Sequence, residues 1–186
     1  MLTKNIKFKQ FKIRRKNNRV NEDLKSLLRE KNHIIKSLTR NYKNSFTKKN
    51  LFKYKKYLNY RIIGMGGSIL GSQAIYDFLK HKIKKNFLFQ NNLQSFKNKK
   101  DNINYLNLVV SKSGNTVETI VNANILIKKN QKNIFITENK QSYLYTLAQK
   151  LKSEIIHHNN FIGGRYSVLS EVGMLPAELM GLNSLR

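Results

Sequence analysis

Short apolar runs alternate with amphipathic ones from residue 61 onward. Residues 61–64, Arg61-Ile62-Ile63-Gly64, read as a short strand centred on two isoleucines and lead into the turn Gly64-Met65-Gly66-Gly67-Ser68. Residues 69–78 then place Ile69, Ala74, Ile75 and Phe78 on one helical face. The apolar signal returns at 87–89, 105–110, 133–137 and 154–157, and the helical one at 117–129, 141–152 and 171–182. In 141–152 the stripe is Leu144, Leu147, Ala148 and Leu151. Short continuous apolar runs bounded by turn residues predict buried strands, and the longer periodic segments predict helices. Strands alternating with helices predict an α/β fold: a doubly wound, mainly parallel, five-stranded sheet with right-handed crossovers. With the first and third strands as neighbours, the order is the flavodoxin-like 2-1-3-4-5. Pro176 is expected in the first turn of the last helix, where its missing N–H costs nothing.

The front of the chain reads differently. Residues 1–20 form a basic, mostly polar arm, either disordered or docked on the body. Asn21 is a candidate N-cap, with Glu22 and Asp23 behind it and Leu24, Leu27, Leu28, Ile34, Ile35 and Leu38 at helical spacing. Residues 41–49 read as a polar connection. In 51–58, Leu51, Phe52, Tyr54, Tyr57 and Leu58 are expected to share one face. The organisation that follows is a basic helical arm over 1–58 and an α/β domain over 59–186. Residues 91–104, with charges clustered at 97–101, read as a loop with a helical turn.

The formal net charge of +26 changes the picture less than its size suggests. Clustered Lys and Arg suit a polyanion, but here Lys and Asn are abundant everywhere and no RNA-binding aromatic signature or helix-turn-helix accompanies them. The charge is read as compositional, with nucleic acid not an expected partner; it would also help steer an anionic metabolite. There is no cysteine, so no disulfide framework and no thiolate site. His33, His81, His157 and His158 show no zinc-motif spacing. No apolar run is of membrane-spanning length and no signal core follows the N-terminus. An intracellular, soluble, cytoplasmic protein is expected, with no membrane partner.

The candidate chemistry lies in three loops. Ser111-Lys112-Ser113-Gly114-Asn115-Thr116 joins the third strand to its helix. The first N–H groups of a helix lack internal partners and carry partial positive charge, which suits a phosphate. Three hydroxyls and a lysine add to that, and Asn115 and Thr116 are both good N-caps. An ordinary capped strand–helix turn has the same composition. The Gly66-Gly67-Ser68 turn leaves the first strand, so both loops border the crevice at the switch in strand order. At Gly67 a side chain is expected to abolish ligand binding without unfolding the domain. The run lacks the third glycine of a dinucleotide fingerprint, Gly71 coming late, so a phosphorylated metabolite is preferred. The third loop is Ile162-Gly163-Gly164-Arg165-Tyr166-Ser167.

Together, Gly64-Met65-Gly66-Gly67-Ser68-Ile69-Leu70-Gly71, Ser111 to Thr119, and Gly163-Gly164-Arg165-Tyr166-Ser167-Val168-Leu169-Ser170 with Val172-Gly173-Met174-Leu175-Pro176 resemble the glucose-6-phosphate isomerase family in order and spacing. The first two stretches occur across phosphosugar-binding (SIS) domains; the third is a signature of the family. The resemblance runs from Tyr60 to the C-terminus. It implies that Ser111, Ser113 and Thr116 hold the phosphate of a hexose 6-phosphate, with Lys112 in the same loop. Gly67 and Ser68 would line the sugar, and Arg165 would stabilise a cis-enediolate. No cofactor or metal is implied. In the family the base glutamate, the ring-opening histidine and a further lysine lie in a second phosphosugar-binding half, which would follow Arg186. Glu118, Glu171, His157 and His158 are poor substitutes. The chain alone is therefore expected to be inactive and to partner a second half or another copy of itself. The alternatives are a non-catalytic phosphosugar-binding or regulatory module, and a basic nucleic-acid binder on a Rossmann-like scaffold.

Overall fold

The computed structural model describes residues 18–30, 32–37, 39, 41–93, 103–128 and 130–183. Five strands form one sheet: β1 (Asn59–Gly64), β2 (Asn86–Gln90), β3 (Leu106–Val110), β4 (Asn133–Thr137) and β5 (Glu154–His157). Every pairing is parallel and the order is β2-β1-β3-β4-β5. The expected α/β class and strand order are thus observed. β3 and β4 are buried along their whole length, and β1 from its second residue onward. That explains why their sequences are continuous apolar runs rather than alternating ones. The edge strands β2 and β5 are exposed at several positions.

Seven helices accompany the sheet among the described residues: α1 (Asn18–Arg29), α2 (His33–Ser37), α3 (Lys48–Leu51), α4 (Leu70–Leu79), α5 (Val117–Leu126), α6 (Tyr143–Lys150) and α7 (Glu171–Met180). On one face Ile62, Leu108, Ile134 and Ile136 pack with Ile69, Tyr76, Val172, Leu175 and Leu179, the residues of α4 and α7 and their approaches. On the other, Ile63, Val109 and Phe135 pack with Ala123, Leu144 and Ala148 of α5 and α6. Successive strand residues point to opposite faces, so each central strand feeds both cores. This is the doubly wound, three-layer arrangement.

The N-terminal expectations need correction. Asn21 lies inside α1, not at its cap. The leucine periodicity is not one helix: α1 ends at Arg29, and Asn32 caps α2 by accepting from the Ile35 N–H at 2.8 Å. No residue of α1 is buried. Leu51, Phe52, Tyr54, Tyr57 and Leu58 do not share a face. Leu51 and Tyr54 enter the first core and Tyr57 packs against it, while Phe52 and Leu58 are exposed. The segment tightens from α3 into a 3-10 turn (Phe52–Tyr54), whose three-residue period buries every third side chain. Phe46, Leu51 and Tyr54 therefore belong to the same core as Tyr60 of β1. Pro176 is the sixth residue of α7, in its second turn, not the first. Most of 1–20, residue 38, and 94–102 with the 97–101 charge cluster lie outside the described residues.

Three loops at the carboxyl edge of the sheet

β1 and β3 are neighbours, with Gly64 opposite Val110 at their carboxyl ends. The chain leaves β1 toward α4 on one face and β3 toward α5 on the other. The loops after these strands therefore flank the crevice where strand order switches, which is where open α/β sheets take ligands.

The Ser111–Thr116 loop turns at Gly114, whose φ of +66° is left-handed and suits glycine. A Cβ there would also run into the Ser142 side chain and sit 3.0 Å from Thr137 Oγ1. Thr116 occupies the N-cap position of α5 but makes no capping bond. Its hydroxyl pairs with Ser111 Oγ at 3.0 Å instead. Asn115 does act as a cap, but for α6: its Oδ1 accepts from the Tyr143 N–H at 2.9 Å. The Leu144 N–H donates to Gly114 O at 3.0 Å, and the Tyr145 N–H to Ser142 Oγ at 3.3 Å. The loop thus satisfies the start of α6 and leaves the start of α5 without a side-chain cap. Ser111 is buried and Ser113 exposed, with Ser113 Oγ accepting from the Asn115 N–H at 3.2 Å. The Lys112 ammonium reaches away from the loop's hydroxyls, donating to Asn160 O at 2.6 Å and lying 3.6 Å from Glu138.

The two glycine turns lock together. Residues Gly66–Ser68 form a 3-10 turn, and Gly164–Leu169 a second one. The direction in which Gly67 would carry a Cβ is filled by the carbonyl of Gly164. Ser167 Oγ donates to Gly164 O at 2.6 Å and lies 3.5 Å from Gly67 O. Gly71 similarly accommodates the Val168 side chain, 2.7 Å from where its Cβ would stand. The expectation that a side chain at Gly67 spares the fold is therefore corrected: the glycine is required by the chain's own backbone contact. Ser68 is half-buried on the same turn. Arg165 is exposed, and among the described residues no carboxylate lies within ion-pair distance of it. Together with Gly67, Leu70 and Phe78 it borders an apolar groove of about 760 Å³ between α4 and this turn.

Behind the loops lies a network with no local signal in the sequence. Glu171, first residue of α7, is fully buried. Its Oε1 accepts from Tyr42 Oη (2.8 Å), from the Ser45 N–H and Oγ (both 3.0 Å) and from Asn159 Nδ2 (3.2 Å). Those partners from the 41–49 connection lie more than a hundred residues away, so no periodicity or motif could have announced them. Enclosed in this way, Glu171 does not face the crevice. Glu118 sits in the first turn of α5, where a carboxylate favours the helix dipole. His157 is exposed and His158 buried, as alternation requires. Burial pulls His158 below the ordinary 6.5. The Asn159 carbonyl, which its Nδ1 approaches at 3.1 Å, and the charge of Glu171 oppose that shift.

The comparisons follow this geometry. Among solved structures, a hypothetical protein from Thermus thermophilus superposes with a TM-score of 0.71 at 21% identity, over 90% of this chain and 45% of that one. Tagatose-6-phosphate ketose/aldose isomerase from Escherichia coli superposes at 0.52 and 18% identity, over 74% of this chain and 42% of that one. These share the fold. A glucose-6-phosphate isomerase from Acholeplasma laidlawii is 36% identical over 146 residues, covering 66% of this chain and 33% of that protein. One from Methanocaldococcus jannaschii is 37% identical over 150 residues, covering 72% and 36%. The chain thus spans about a third of the length of these curated relatives. The family model described as Phosphoglucose isomerase matches residues 12–185, reaching well into the arm for which the motifs alone showed no likeness. On that match the chain belongs to the phosphoglucose isomerase family.

Proposed function

We propose that the three loops are the phosphosugar half of a glucose-6-phosphate isomerase site. The observation that carries this reading is the uncapped start of α5 beside the hydroxyls of Ser111, Ser113 and Thr116, at the switch point of the sheet. Helix amides and hydroxyls converging there suit the 6-phosphate of glucose or fructose. Gly67 and Ser68 line the sugar, and Lys112 braces the loop against Asn160. The reaction moves a proton between C2 and C1 through a cis-enediolate. Arg165, with no carboxylate in ion-pair distance among the described residues, can turn its planar fork of donors to the enediolate oxygens.

Residues 59–186 are the phosphosugar unit in this reading, and 1–58 its basic arm, in a cytoplasmic protein that needs no cofactor. The base glutamate and ring-opening histidine belong to a second phosphosugar-binding half. The uncovered apolar groove beside Arg165 supports a partner surface there. The 186 residues alone then bind hexose 6-phosphate weakly and turn it over negligibly, since each general acid or base supplies on the order of 100- to 10,000-fold. A coupled isomerase assay tests this, on the chain alone and with a separately expressed second half from a relative. Recovery on adding that half, lost again in Arg165→Ala, supports the reading. Robust turnover by the chain alone, abolished by Glu118→Gln, overturns it.

A further inference from the structure

We propose that Glu171 is a positioning residue for two of the three loops, fastening the connection before α3 to the crevice so that the N-terminal arm sets how the sugar-phosphate site is held. The ligand is taken from the isomerase reading above; the coupling itself rests on geometry. Glu171 opens α7, and none of it is exposed. Among the described residues no cation lies within ion-pair distance of its carboxylate. Burying such a group is costly unless hydrogen bonds replace those it made to water. Here they do so at one oxygen. Tyr42 Oη, the Ser45 N–H, Ser45 Oγ and Asn159 Nδ2 all donate to Oε1, while Oε2, also buried, has no partner among the described residues. An aliphatic side chain would pack the start of α7 without that cost. What the carboxylate adds is its hold on the donors, because hydrogen bonds to a charged acceptor are roughly twice as strong as neutral ones.

That hold passes into the crevice by two short routes. Residues 42–47 have no regular secondary structure, so these bonds, with Phe46 in the first core, help fix their course. Asn159 closes the triangle by donating to Tyr42 Oη at 2.8 Å as well. The next residue, Asn160, gives its carbonyl to the Lys112 ammonium, which braces the phosphate loop. In the other direction Glu171 follows Ser170, whose Oγ donates to Ser167 O at 2.7 Å. Ser167 Oγ in turn donates to Gly164 O, beside Arg165. A carboxylate that merely tied down a connection would end at Tyr42 and Ser45. This one joins the arm to the residue adjacent to the Lys112 brace, and it stands just past the turn that carries Arg165. Buried polar networks of this kind act as a unit, so a change at one member moves the others.

The test compares two tyrosines that each donate a hydrogen bond to a glutamate at 2.8 Å. Tyr42→Phe removes the bond to Glu171, and Tyr54→Phe removes the bond to Glu154, which begins β5 at the opposite edge of the sheet. Both variants are measured against wild type on the full chain, by calorimetry with fructose 6-phosphate and by amide exchange. Similar small losses in melting temperature are expected. Only Tyr42→Phe should raise Kd, by about fivefold, less than the loss of a direct contact to phosphate because the effect arrives through the Lys112 brace. It should also speed exchange at Ile162, whose N–H donates to Asn159 O, and at Gly114, whose N–H donates to Ser111 O. An increase of at least about threefold is expected at both, as local opening becomes easier. Glu171→Gln, which keeps an acceptor oxygen but not the charge, should change the same amides in the same direction. A purely structural bond lowers the melting temperature and the fraction of binding-competent protein, seen in the stoichiometry. It leaves Kd and these amides where Tyr54→Phe leaves them, and that result overturns the proposal. If wild type takes no fructose 6-phosphate, the isomerase reading fails instead, and exchange at Ile162 and Gly114 alone decides the coupling.

Discussion

The turn after β1 and the loop after β3 begin alike and end differently. Each leaves a central parallel strand, and each bends at a left-handed glycine, Gly66 at φ +54° and Gly114 at φ +66°. The turn after β1 then closes onto another part of the chain: Gly67 meets the Gly164 carbonyl, and no room remains between them. The loop after β3 gives its acceptors to the start of α6 and keeps its hydroxyls beside an uncapped helix. One is therefore a clasp and the other a cradle. Glycine next to a binding crevice is commonly explained by ligand approach, and here that explanation fits neither Gly67 nor Gly114. The chain's own backbone claims the space at Gly67, and φ together with Ser142 claims it at Gly114.

The largest effect expected follows from the clasp. Gly67→Val should destabilise the fold by at least about 3 kcal/mol, the upper part of the range for overpacking, because a carbonyl in a packed turn cannot rotate aside as a side chain can. Gly164→Ala should change stability by no more than about 0.5 kcal/mol, since nothing stands within 4 Å of its Cβ direction. Urea unfolding of the two variants measures the contrast. A Gly67→Val protein as stable as wild type would return the glycine to a role in ligand approach.

The same contrast marks how far the sequence could be read. β4 and β5 were legible to the residue, 133–137 and 154–157, because strands in a parallel sheet are short apolar runs cut off sharply by polar residues. The strand order was legible because two glycine-bearing loops had to share one crevice. The three loops were visible as local composition. Their contacts were not: Gly67 with Gly164, and Glu171 with Tyr42 and Ser45, are pairings across 97 to 129 residues. Helix ends fall short of the apolar periodicity where the chain's own closing bonds stop the helix, as at Lys152, whose N–H turns back to Gln149 O. The N-terminal third is the least legible part of the chain. There the period changes from an α-helix to a 3-10 turn within seven residues, so Phe52 and Leu58 point outward while Leu51 and Tyr54 point in.

The cradle predicts a smaller effect, on binding more than on folding. Ser113→Ala with Thr116→Ala should weaken fructose 6-phosphate binding by about 1–3 kcal/mol in total, the range for hydrogen bonds to a charged group. Stability should fall by less than binding does, because no capping bond is lost and only the Thr116–Ser111 hydroxyl pair and the Ser113 contact with the Asn115 N–H are removed. Calorimetry and urea unfolding on the same protein separate the two readouts. A stability loss matching the binding loss would make the loop an ordinary structural turn.

The smallest effect concerns the link between clasp and cradle. His158 follows β5, its N–H donating to Thr137 O at 2.8 Å, two residues before the Asn160 carbonyl that receives Lys112. Burial favours the neutral ring and lowers its pKa from 6.5, with the Lys112 charge acting in the same direction. The carbonyl of Asn159 and the carboxylates of Glu171 and Glu138 oppose this without reversing it. Below about pH 6.5 the unfolded chain therefore binds a proton at His158 that the folded chain still refuses. Stability rises with pH through that window, is complete above 6.5, and is lost as pH falls toward and through the lowered folded pKa. Unfolding free energies at pH 7.5 and 5.5 should differ more in wild type than in His158→Gln, which removes the titrating ring. Both pH values lie above the ordinary range of carboxylates, so the variant isolates the histidine. Because His158 adjoins the tie to Lys112, the same acidification should loosen the cradle before the clasp, seen as amide exchange rising at Ser113 and Asn115 while Ser68 and Ile69 stay protected. Equal slopes in wild type and variant would show that the buried ring titrates alike in both states, and would leave the two loops with no shared response to pH.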